Sequence, residues 1–528
     1  MLDAALDANG ANGVPVTLRF GAGRTYFVKT AQDRYVFPIH GRNNVNIDGA
    51  GATFLLDPYL RFLHLADSRN VTVRNLTVDF SPLPFVEGTV IGVSPAKHCF
   101  DVALAKGFSA PRGGPSPTHD DGEQAFYGMF WFPGKYGMDA LHCWVDRLEP
   151  VDDSPAPVVR VYPARSGPTA FAEENFDRIK PGIWKISLPA PGLADRLGPG
   201  ALFNIEDNAG ADFENIEVWS APWIAFTITR NSGKLIFRKV NVRPKSQSGR
   251  LMSSWRDGFH TKGNSGHILF EGCTLAGMND DAFNISTHVS VVRRIVSDTR
   301  VELMQKYPLC FIPPRAGDDF VAVDPSSKRM VGHAQISRVD YSGKGIQEPD
   351  RWEAPQTRAP TVTVQLATAI PGLKEGDAGW DAETSNPDVT IRDCTIRGSC
   401  RFQSGVTIGN SDIGAFCWFY SAFEDAGEGP YPSNVRITNS VFHSGRGNME
   451  NAMMFSGLPE KGKALDGPRA IHDVRLIGNT IFGGVAIEGC EHVLLETDRF
   501  MEPGTAVSLH GSKDVLLEGD RFEGPVLK

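Results

Sequence analysis

Apolar and polar residues alternate along most of the chain within one short phrase that recurs. In each copy apolar residues fill every second position, a turn residue (usually Asn, Asp or Gly) follows, and a second short apolar run ends the phrase. Alternation with a period of two predicts β-strands, and Asn, Asp or Gly predicts a tight turn that tolerates positive φ. Nine copies begin at Asn70, Asn215, Lys234, His267, Asp388, Asn434, Asp473, His492 and Asp514.

The spacing of the copies predicts how these strands are arranged. Successive copies are 19 residues apart from Asp473 to His492 and 22 residues apart from His492 to Asp514. Strands that repeat at this period cannot bury their apolar faces alone and must stack on one another. The sequence therefore predicts an all-β protein built on a right-handed parallel β-helix, a solenoid.

Two blocks interrupt the repeat, at residues 86–200 and 287–380. Their alternating strands are joined by Pro- and Gly-rich turns without the coil period, which is typical of antiparallel β structure. We expect the two blocks to combine into one inserted antiparallel β-barrel domain. The predicted plan is a cap with a short amphipathic helix and first coils at 1–85, barrel parts at 86–200 and 287–380, central coils at 201–286 and C-terminal coils at 381–528.

Composition and charge exclude several classes of protein. A chain of 528 residues is too long for one compact core, and its 55 Gly and 36 Pro suit a turn-rich β protein. The net charge is −9 without a long basic run, which argues against a nucleic-acid partner. No run of 18 apolar residues is present, so we expect no membrane span.

The cysteines and the first residues bear on metal sites and on the compartment. None of the eight cysteines forms a Cys-x-x-Cys pair, which argues against a zinc ribbon, and Cys273, Cys394 and Cys490 are expected to be buried thiols of the stack. The first residues lack the basic and apolar parts of a leader. We expect a secreted or periplasmic bacterial protein whose leader has been removed, with a cytoplasmic location still open, and a monomer or small homo-oligomer.

Candidate chemistry concentrates between Trp255 and Ser286, which reads WRDGFHTKGNSGHILFEGCTLAGMNDDAFNIS. Asp257 precedes the pair Asp280 and Asp281 by 23 and 24 residues, about one coil. Residues one coil apart lie about 4.8 Å apart, so three carboxylates should share one patch. Crowded carboxylates have pKa values that are pushed apart, and an acid beside an ionised base is what glycosidic-bond hydrolysis needs.

These motifs resemble two glycosidase families. DGF followed by DD is similar to the polygalacturonases, but the chain has no Gly-His-Gly and no good Arg-x-Lys segment. RDGFHTKG and GMNDDAFNIS resemble the motifs of glycoside hydrolase family 110, the α-1,3-galactosidases, and FVAVDP, GHAQISRVD and GLKEGD resemble that family's barrel. The chain departs from the family at residues 286–288 and in the segment from Phe416, FCWFYSAFEDAGEGP.

This resemblance implies an exo-acting, inverting hydrolase that releases terminal α-1,3-linked galactose without a metal or other cofactor. Asp257 would be the proton donor, and Asp280 and Asp281 would position and deprotonate water, although the roles could be reversed. The two carboxyl groups should then lie about 6.5–9.5 Å apart, with the pair at a bend in the coil. The candidate substrate-binding residues are Trp255, Arg256, His260, Asn284, Arg401 and Trp418.

Each candidate binding residue also has a structural interpretation. The tryptophans can pack, the arginines can lie in solvent, His260 can pack in the coil, and Asn284 can join a stacked Asn ladder. Three other functions stay open: a polygalacturonase-like glycosidase, a polysaccharide lyase that uses the carboxylates to bind Ca²⁺, and a non-catalytic β-helix that binds glycans.

Overall fold

The computed structural model describes most of the chain. The described residues are 6–7, 14–31, 34–108, 114–115, 127–131, 142–151, 157–165, 170–189, 200–305, 312–341, 361–414, 416–423, 427–444, 451–461, 463, 466–502, 504, 506–523 and 526–527. The predicted N-terminal helix lies outside them except for Leu6 and Asp7. Among the described residues, no helix is both long and apolar enough to cross a membrane.

The N-terminal segment forms the first coils. Its strands are β1 (Val16–Arg19), β2 (Thr25–Val28), β3 (Tyr35–His40), β4 (Val45–Leu56), β5 (Arg61–Ala66) and β6 (Val71–Phe80). β4 pairs in parallel with β6, and β3 pairs in parallel with β5. Parallel pairing between strands one coil apart is the arrangement that the repeat predicts.

The first insertion forms a separate antiparallel sheet. Its elements are β7 (Phe85–Ser94), a 3-10 helix (Pro95–Lys97), β8 (Cys99–Leu104), β9 (Gly114–Pro115), β10 (Tyr127–Trp131), β11 (His142–Val151), β12 (Val158–Pro163), an α-helix (Glu173–Arg178) and β13 (Lys185–Pro189). The strand order is β10-β13-β7-β8-β12-β11-β9, and β10 also pairs with β11, which closes a ring of six strands.

The central coils follow, and the second insertion leaves directly from them. The central strands are β14 (Phe203–Glu206), β15 (Ala211–Val218), β16 (Phe226–Thr229), β17 (Leu235–Val242), β18 (Phe259–Lys262), β19 (Ile268–Glu271), β20 (Thr274–Ala276) and β21 (Phe283–His288). The second insertion comprises β22 (Ser290–Ser297), β23 (Arg300–Gln305), β24 (Asp319–Asp324), β25 (Arg329–Asp340), β26 (Thr361–Leu366) and β27 (Ala378–Asp381).

The two insertions do not combine, so the expectation of one joint barrel is wrong. β22 to β27 close a barrel by themselves in the order β22-β23-β26-β25-β24-β27. The described strands of the first insertion pair only with one another. Each insertion also buries its own apolar cluster, around Phe130 in the first and around Phe320 in the second. Each block has enough alternating strands to satisfy its own hydrogen bonds, which removes the need for a shared barrel.

The C-terminal coils complete the solenoid. Their strands are β28 (Val389–Arg392), β29 (Thr395–Arg397), β30 (Cys400–Phe402), β31 (Thr407–Gly409), β32 (Asp412–Ile413), β33 (Cys417–Phe419), β34 (Glu428–Gly429), β35 (Ser433–Thr438), β36 (Val441–His443), β37 (Asn451–Ser456), β38 (Ile471–Ile477), β39 (Thr480–Phe482), β40 (Gly484–Glu488), β41 (Cys490–Glu496), β42 (Arg499–Phe500), β43 (Val507–His510), β44 (Lys513–Glu518), β45 (Arg521–Phe522) and β46 (Val526–Leu527).

Two long sheets run the length of the solenoid. Among the described residues, one sheet holds 20 strands and contains every copy of the sequence phrase. The other, here called the site sheet, holds 13 strands, of which the central ones are stacked in the order β5-β14-β16-β18-β21-β30-β33-β37. The architecture is therefore a parallel β-helix that carries an inserted antiparallel barrel, as the sequence predicts.

The turns of the phrase adopt the backbone conformation that the sequence predicts. Asn70 at the start of one copy and Asn75 after its second apolar residue have φ of 54° and 57°. Asp393 and Asn439 occupy the corresponding turn in later copies, with φ of 55° and 50°. Asn and Asp tolerate this left-handed region better than most residues, so they bend the backbone at the same place in each copy; Asn75 does so inside β6 and Asp393 between β28 and β29.

The interior of the solenoid is filled by stacked aromatic rings. Phe203, Phe226, Phe259 and Phe283 stack on successive rungs of the site sheet, with ring centroids 4.4, 4.8 and 5.5 Å apart. Because neighbouring residues of a strand point to opposite faces, an inward Phe259 directs His260 outward. The stack thereby sets the side of the site sheet on which polar residues collect.

A buried Asn ladder fixes one corner of the coils. Backbone N–H groups of Asn208, Asn231 and Asn264 donate to the side-chain oxygens of Asn231, Asn264 and Asn386 at 2.9, 2.9 and 3.4 Å.

Among the described cysteines, Cys273, Cys394 and Cys490 are buried and free, as predicted. Within the Gly-rich stretch 443–470, residues 451–456 form β37.

Candidate active site

The three aspartates lie in equivalent bends on neighbouring rungs. Asp257 and the Asp280–Asp281 pair immediately precede β18 and β21, and Phe259 is in register with Phe283. The N–H of Gly258 donates to the carbonyl oxygen of Asp281 at 2.9 Å. A Cβ on Gly258 would lie 2.7 Å from the carbonyl oxygen of Ala282, so the close approach of the rungs requires glycine. The bend predicted at the aspartate pair is present.

The three carboxylates form one compact cluster. One oxygen from each of Asp257, Asp280 and Asp281 lies within 4.8 Å of the others. Asp257 and Asp281 are only 4% and 6% exposed, whereas Asp280 is half-buried. The sequence correctly predicts that the carboxylates meet. The nearest oxygens are nevertheless closer than the gap of about 6.5–9.5 Å expected between the two groups of an inverting pair.

Burial shifts the protonation of two of these acids. Burial raises the pKa of Asp257 well above its usual 3.8, and the nearby Asp280 raises it further. Burial also raises the pKa of Asp281 to about 7, although the Arg401 guanidinium opposes this effect. The site therefore contains carboxyl groups that hold protons at a pH where an ordinary aspartate has lost its proton.

Polar partners orient each aspartate. Nδ1 of His260 lies 2.5 Å from Oδ2 of Asp257. Nη1 of Arg256 contacts Oδ2 of Asp280 at 3.1 Å. Nε of Arg401 lies 3.0 Å from Oδ2 of Asp281, and the hydroxyl of Ser399 donates to Oδ1 of Asp281 at 2.9 Å.

His260 and the two arginines, all predicted as binding residues, thus lie at the cluster. Burial, assisted by Lys262, lowers the pKa of His260 to about 3, so its imidazole is neutral at physiological pH. Each predicted arginine makes an ion pair with one aspartate of the adjacent pair. Their immediate role in the structure is to orient carboxylates, which differs from the solvated surface role that the sequence also allows.

Asn284 lies on the outer face of the site sheet instead of in the Asn ladder. It is in register with His260 on one neighbouring rung and Arg401 on the other. Its Oδ1 accepts a hydrogen bond from the hydroxyl of Ser286 at 2.7 Å. The ladder interpretation is therefore wrong for Asn284, because an outward position on β21 directs its side chain towards the candidate site.

The two predicted tryptophans occupy different environments. Trp255 is 4% exposed and belongs to a small apolar cluster with Phe85 and Met252, so packing accounts for this ring. Trp418 is partly exposed, lies in register with Arg401 and stacks on Tyr420 with centroids 4.1 Å apart. Of the two predicted tryptophans, only Trp418 therefore presents an accessible ring next to Arg401.

A second polar network adjoins the aspartates and was not predicted. Lys262 is fully buried, and its ammonium group contacts Oε1 of Glu428 and the hydroxyl of Ser286. Oε2 of Glu428 lies 3.4 Å from Nη1 of Arg401 and accepts a hydrogen bond from Gln403 at 3.2 Å. Arg401 therefore connects this network to the carboxylate cluster.

One signal in the sequence could have identified part of the second network. Lys262 and Ser286 follow His260 and Asn284 by two residues on the same strands, so period-two alternation places each pair on one face. Glu428 carries no such signal. It reaches the site because β34 pairs antiparallel with the end of β21, where Glu428 lies opposite His288.

Comparisons with known proteins bear on this site. No family model matches the chain. Alpha-1,3-galactosidase B of Bacteroides thetaiotaomicron is 22% identical over 375 residues, which cover 68% of this chain and 55% of that protein. Alpha-1,3-galactosidase A of Shewanella woodyi is 24% identical over 301 residues, which cover 51% of this chain and 45% of that protein. The chain thus spans about half the length of these curated relatives.

Solved structures resemble the chain only distantly. The surface adhesin PfbA of Streptococcus pneumoniae has a TM-score of 0.33 at 10% identity, with 99% of this chain and 85% of the adhesin covered. A tailspike of the Acinetobacter baumannii bacteriophage AP22 has a TM-score of 0.18, also at 10% identity, with 99% of this chain and 70% of the tailspike covered. These scores are too low to support any argument about function.

A third relative supports the family resemblance drawn from the sequence. This relative, alpha-1,3-galactosidase B of Parabacteroides distasonis, is 23% identical over 359 residues, which cover 62% of this chain and 52% of that protein. The resemblance read from RDGFHTKG and GMNDDAFNIS is confirmed: the chain is a relative of the α-1,3-galactosidases and is similar to glycoside hydrolase family 110.

Proposed function

We propose that this protein is an exo-acting glycoside hydrolase that releases terminal α-1,3-linked galactose. The observation that carries the proposal is the cluster of Asp257, Asp280 and Asp281, whose carboxylate oxygens lie within 4.8 Å of one another. Repulsion between close carboxylates raises the free energy of the folded protein, and such clusters are typical of functional sites. The curated relatives are named for cleavage of this kind of linkage. Carbohydrate is accordingly the proposed substrate class.

In the proposed reaction, Asp257 donates a proton to the leaving glycosidic oxygen. Its raised pKa keeps the donor protonated, and His260 orients it. Asp280 and Asp281 hold one water, which attacks the anomeric carbon as its proton passes to one of these carboxylates. Asp280 is the most exposed of the three aspartates, which suits contact with water and substrate.

Inversion at the anomeric carbon is also part of the proposal. It rests on the resemblance to family 110, because the oxygen distances do not match the usual spacing of an inverting pair. An inverting reaction at this cluster needs the water on the side of the sugar away from Asp257. The first sugar released would then be β-galactose.

A metal-dependent lyase is the second candidate, because three carboxylate oxygens within 4.8 Å fit the coordination sphere of Ca²⁺. Two features favour the hydrolase. Arg256 and Arg401 already form ion pairs with Asp280 and Asp281, and a bound cation would compete with both arginines. A lyase would produce an unsaturated sugar that absorbs ultraviolet light, whereas a hydrolase would not.

A substrate panel tests the proposal directly. The purified protein is incubated with α-1,3-galactobiose, α-1,4-galactobiose, α-1,6-galactobiose and polygalacturonate, and free galactose and unsaturated products are measured. Galactose released from the α-1,3-linked disaccharide, and lost in Asp257→Asn, is the expected result. Cleavage of polygalacturonate alone, or an unsaturated product, would replace the proposal with one of its alternatives.

A further inference from the structure

Glu428 reaches the site from outside the regular coil. Glu428 lies on β34, which pairs antiparallel with the end of β21 through Thr287 opposite Gly429 and His288 opposite Glu428. Most neighbours in the site sheet are parallel, so this antiparallel pairing is a local addition. It delivers one carboxylate, 8% exposed, to a face that already carries Lys262 and Arg401.

Both oxygens of Glu428 are engaged by different partners. Oε1 contacts the ammonium group of Lys262, and Oε2 contacts Arg401 and Gln403. Arg401 meanwhile contacts Asp281 through Nε at 3.0 Å and Glu428 through Nη1 at 3.4 Å. The guanidinium is therefore held between two carboxylates, and its position relative to Asp281 depends on Glu428.

We propose that Glu428 is a positioning residue of the proposed galactosidase site, which holds Arg401 against Asp281 and balances the buried charge of Lys262. This inference rests on the proposed function. The contacts of Glu428 are with Arg401 and Lys262, so its effect on the reaction passes through these two residues. A shift of about 1 Å in a group that orients a catalytic residue can cost about 100-fold in rate.

The charges around Glu428 support this role. Burial opposes ionisation of Glu428, but Lys262 and Arg401 together outweigh burial and hold its pKa well below the usual range. Glu428 in turn raises the pKa of Asp257, whereas the attraction between Lys262 and Asp257 lowers it. The charged and titratable groups around this network are Asp257, Asp280, Asp281, Arg256, His260, Lys262, His288, Arg401 and Tyr420.

Two substitutions should move the pH profile in opposite directions. Glu428→Gln removes a negative charge, so Asp257 should lose its proton at lower pH and the alkaline limb of kcat/KM should move to lower pH. Lys262→Met removes a positive charge, so the same limb should move up. A packing defect alone would not give shifts of opposite sign. In Glu428→Gln, kcat should also fall by about 10- to 100-fold.

A matched control is available on the opposite sheet. Glu271 also accepts from two arginines on neighbouring rungs, Arg238 and Arg392, but lies away from the aspartates. Glu271→Gln should leave kcat and the pH profile unchanged. If Glu428→Gln alone does not fold, the double variant Lys262→Met/Glu428→Gln removes both buried charges and should keep the loss in kcat.

The outcomes separate this inference from the proposed function. A folded Glu428→Gln, or the double variant, with wild-type kcat and pH profile would overturn the role of Glu428. A wild-type protein that releases no galactose would overturn the proposed function instead. The positioning of charge is still measured in that case by the pH dependence of Tm above about pH 5. Glu428→Gln should change it there because Glu428 raises the pKa of Asp257, whereas Glu271→Gln should not, because the arginines lower the pKa of Glu271 and its titration lies at more acidic pH.

Discussion

Replacing Asp281 by Asn should inactivate the protein. The stability of the variant relative to wild type should nevertheless increase as the pH rises. Asp281 is almost fully buried beside two other carboxylates, and burial raises its pKa from 3.8 to about 7. The folded protein therefore binds this proton more tightly than the unfolded chain does. The stabilising contribution is complete below about pH 4 and is lost as the pH rises through about 7. An Asn side chain does not titrate in this range, so the variant lacks this dependence of stability on pH.

The size of the effect follows from the pKa shift. A rise of about 3 pKa units corresponds to about 4 kcal/mol, of which about 3 kcal/mol is lost between about pH 5 and 8. A chain of this length has an unfolding entropy of about 1.1 kcal/mol/K. The difference in Tm between Asp281→Asn and wild type should therefore increase by about 3 °C over that range. The kcat should fall by at least about 10³-fold.

Calorimetry at four pH values between about 5 and 8 measures this slope. Arg401 keeps Glu428 as a partner in the variant, which limits the offset that a lost ion pair adds at every pH. Asp298→Asn, in the exposed turn between β22 and β23, is the control and should run parallel to wild type. If the plot of Tm against pH for Asp281→Asn also runs parallel to that of wild type, the reasoning that ionisation of the buried Asp281 lowers the stability of the folded protein is refuted.

Three other predictions follow from the site and the coil. Asp257→Asn and Asp280→Asn should each lower kcat by at least about 10³-fold with unchanged circular dichroism, and full activity in either removes that residue from the mechanism. Asn231→Ala should lower Tm by roughly 2–3 °C, because its buried amide bonds Asn208 and Asn264 on both neighbouring rungs; an unchanged Tm contradicts the ladder. Treatment with EDTA should leave kcat unchanged, and a loss that Ca²⁺ restores would favour the lyase.

The sequence predicts the solenoid and the aspartate cluster because both follow from local periodicity. Alternation identifies the strands, and the turn residues mark where the backbone bends in each copy, as the positive φ of Asn75 and Asp393 shows. A separation of about one coil then suffices to bring Asp257 next to Asp281, since register in a parallel stack is set by coil length. No long-range information is needed for these features.

The features that the sequence misses depend on contacts between distant segments. Glu428 lies on β34, which pairs antiparallel with β21, and no period relates it to Lys262. The separate closure of the two insertions depends on which edge strands hydrogen-bond to each other. The alternation of apolar and polar residues does not encode this pairing. Asn284 and Asn264 are both buried asparagines of neighbouring coil segments, and only the observed register tells the outward residue from the ladder residue.

The most direct test of the account is ¹H NMR of the sugar released from α-1,3-galactobiose in the first minutes of reaction. The account predicts that wild-type protein releases β-galactose, which then mutarotates, and that Asp257→Asn releases none over the same time. The anomer reports the side of the sugar on which water attacks, so it tests the inversion that the resemblance implies as well as the identity of the substrate. Initial release of α-galactose, or no release of galactose at all, would contradict it.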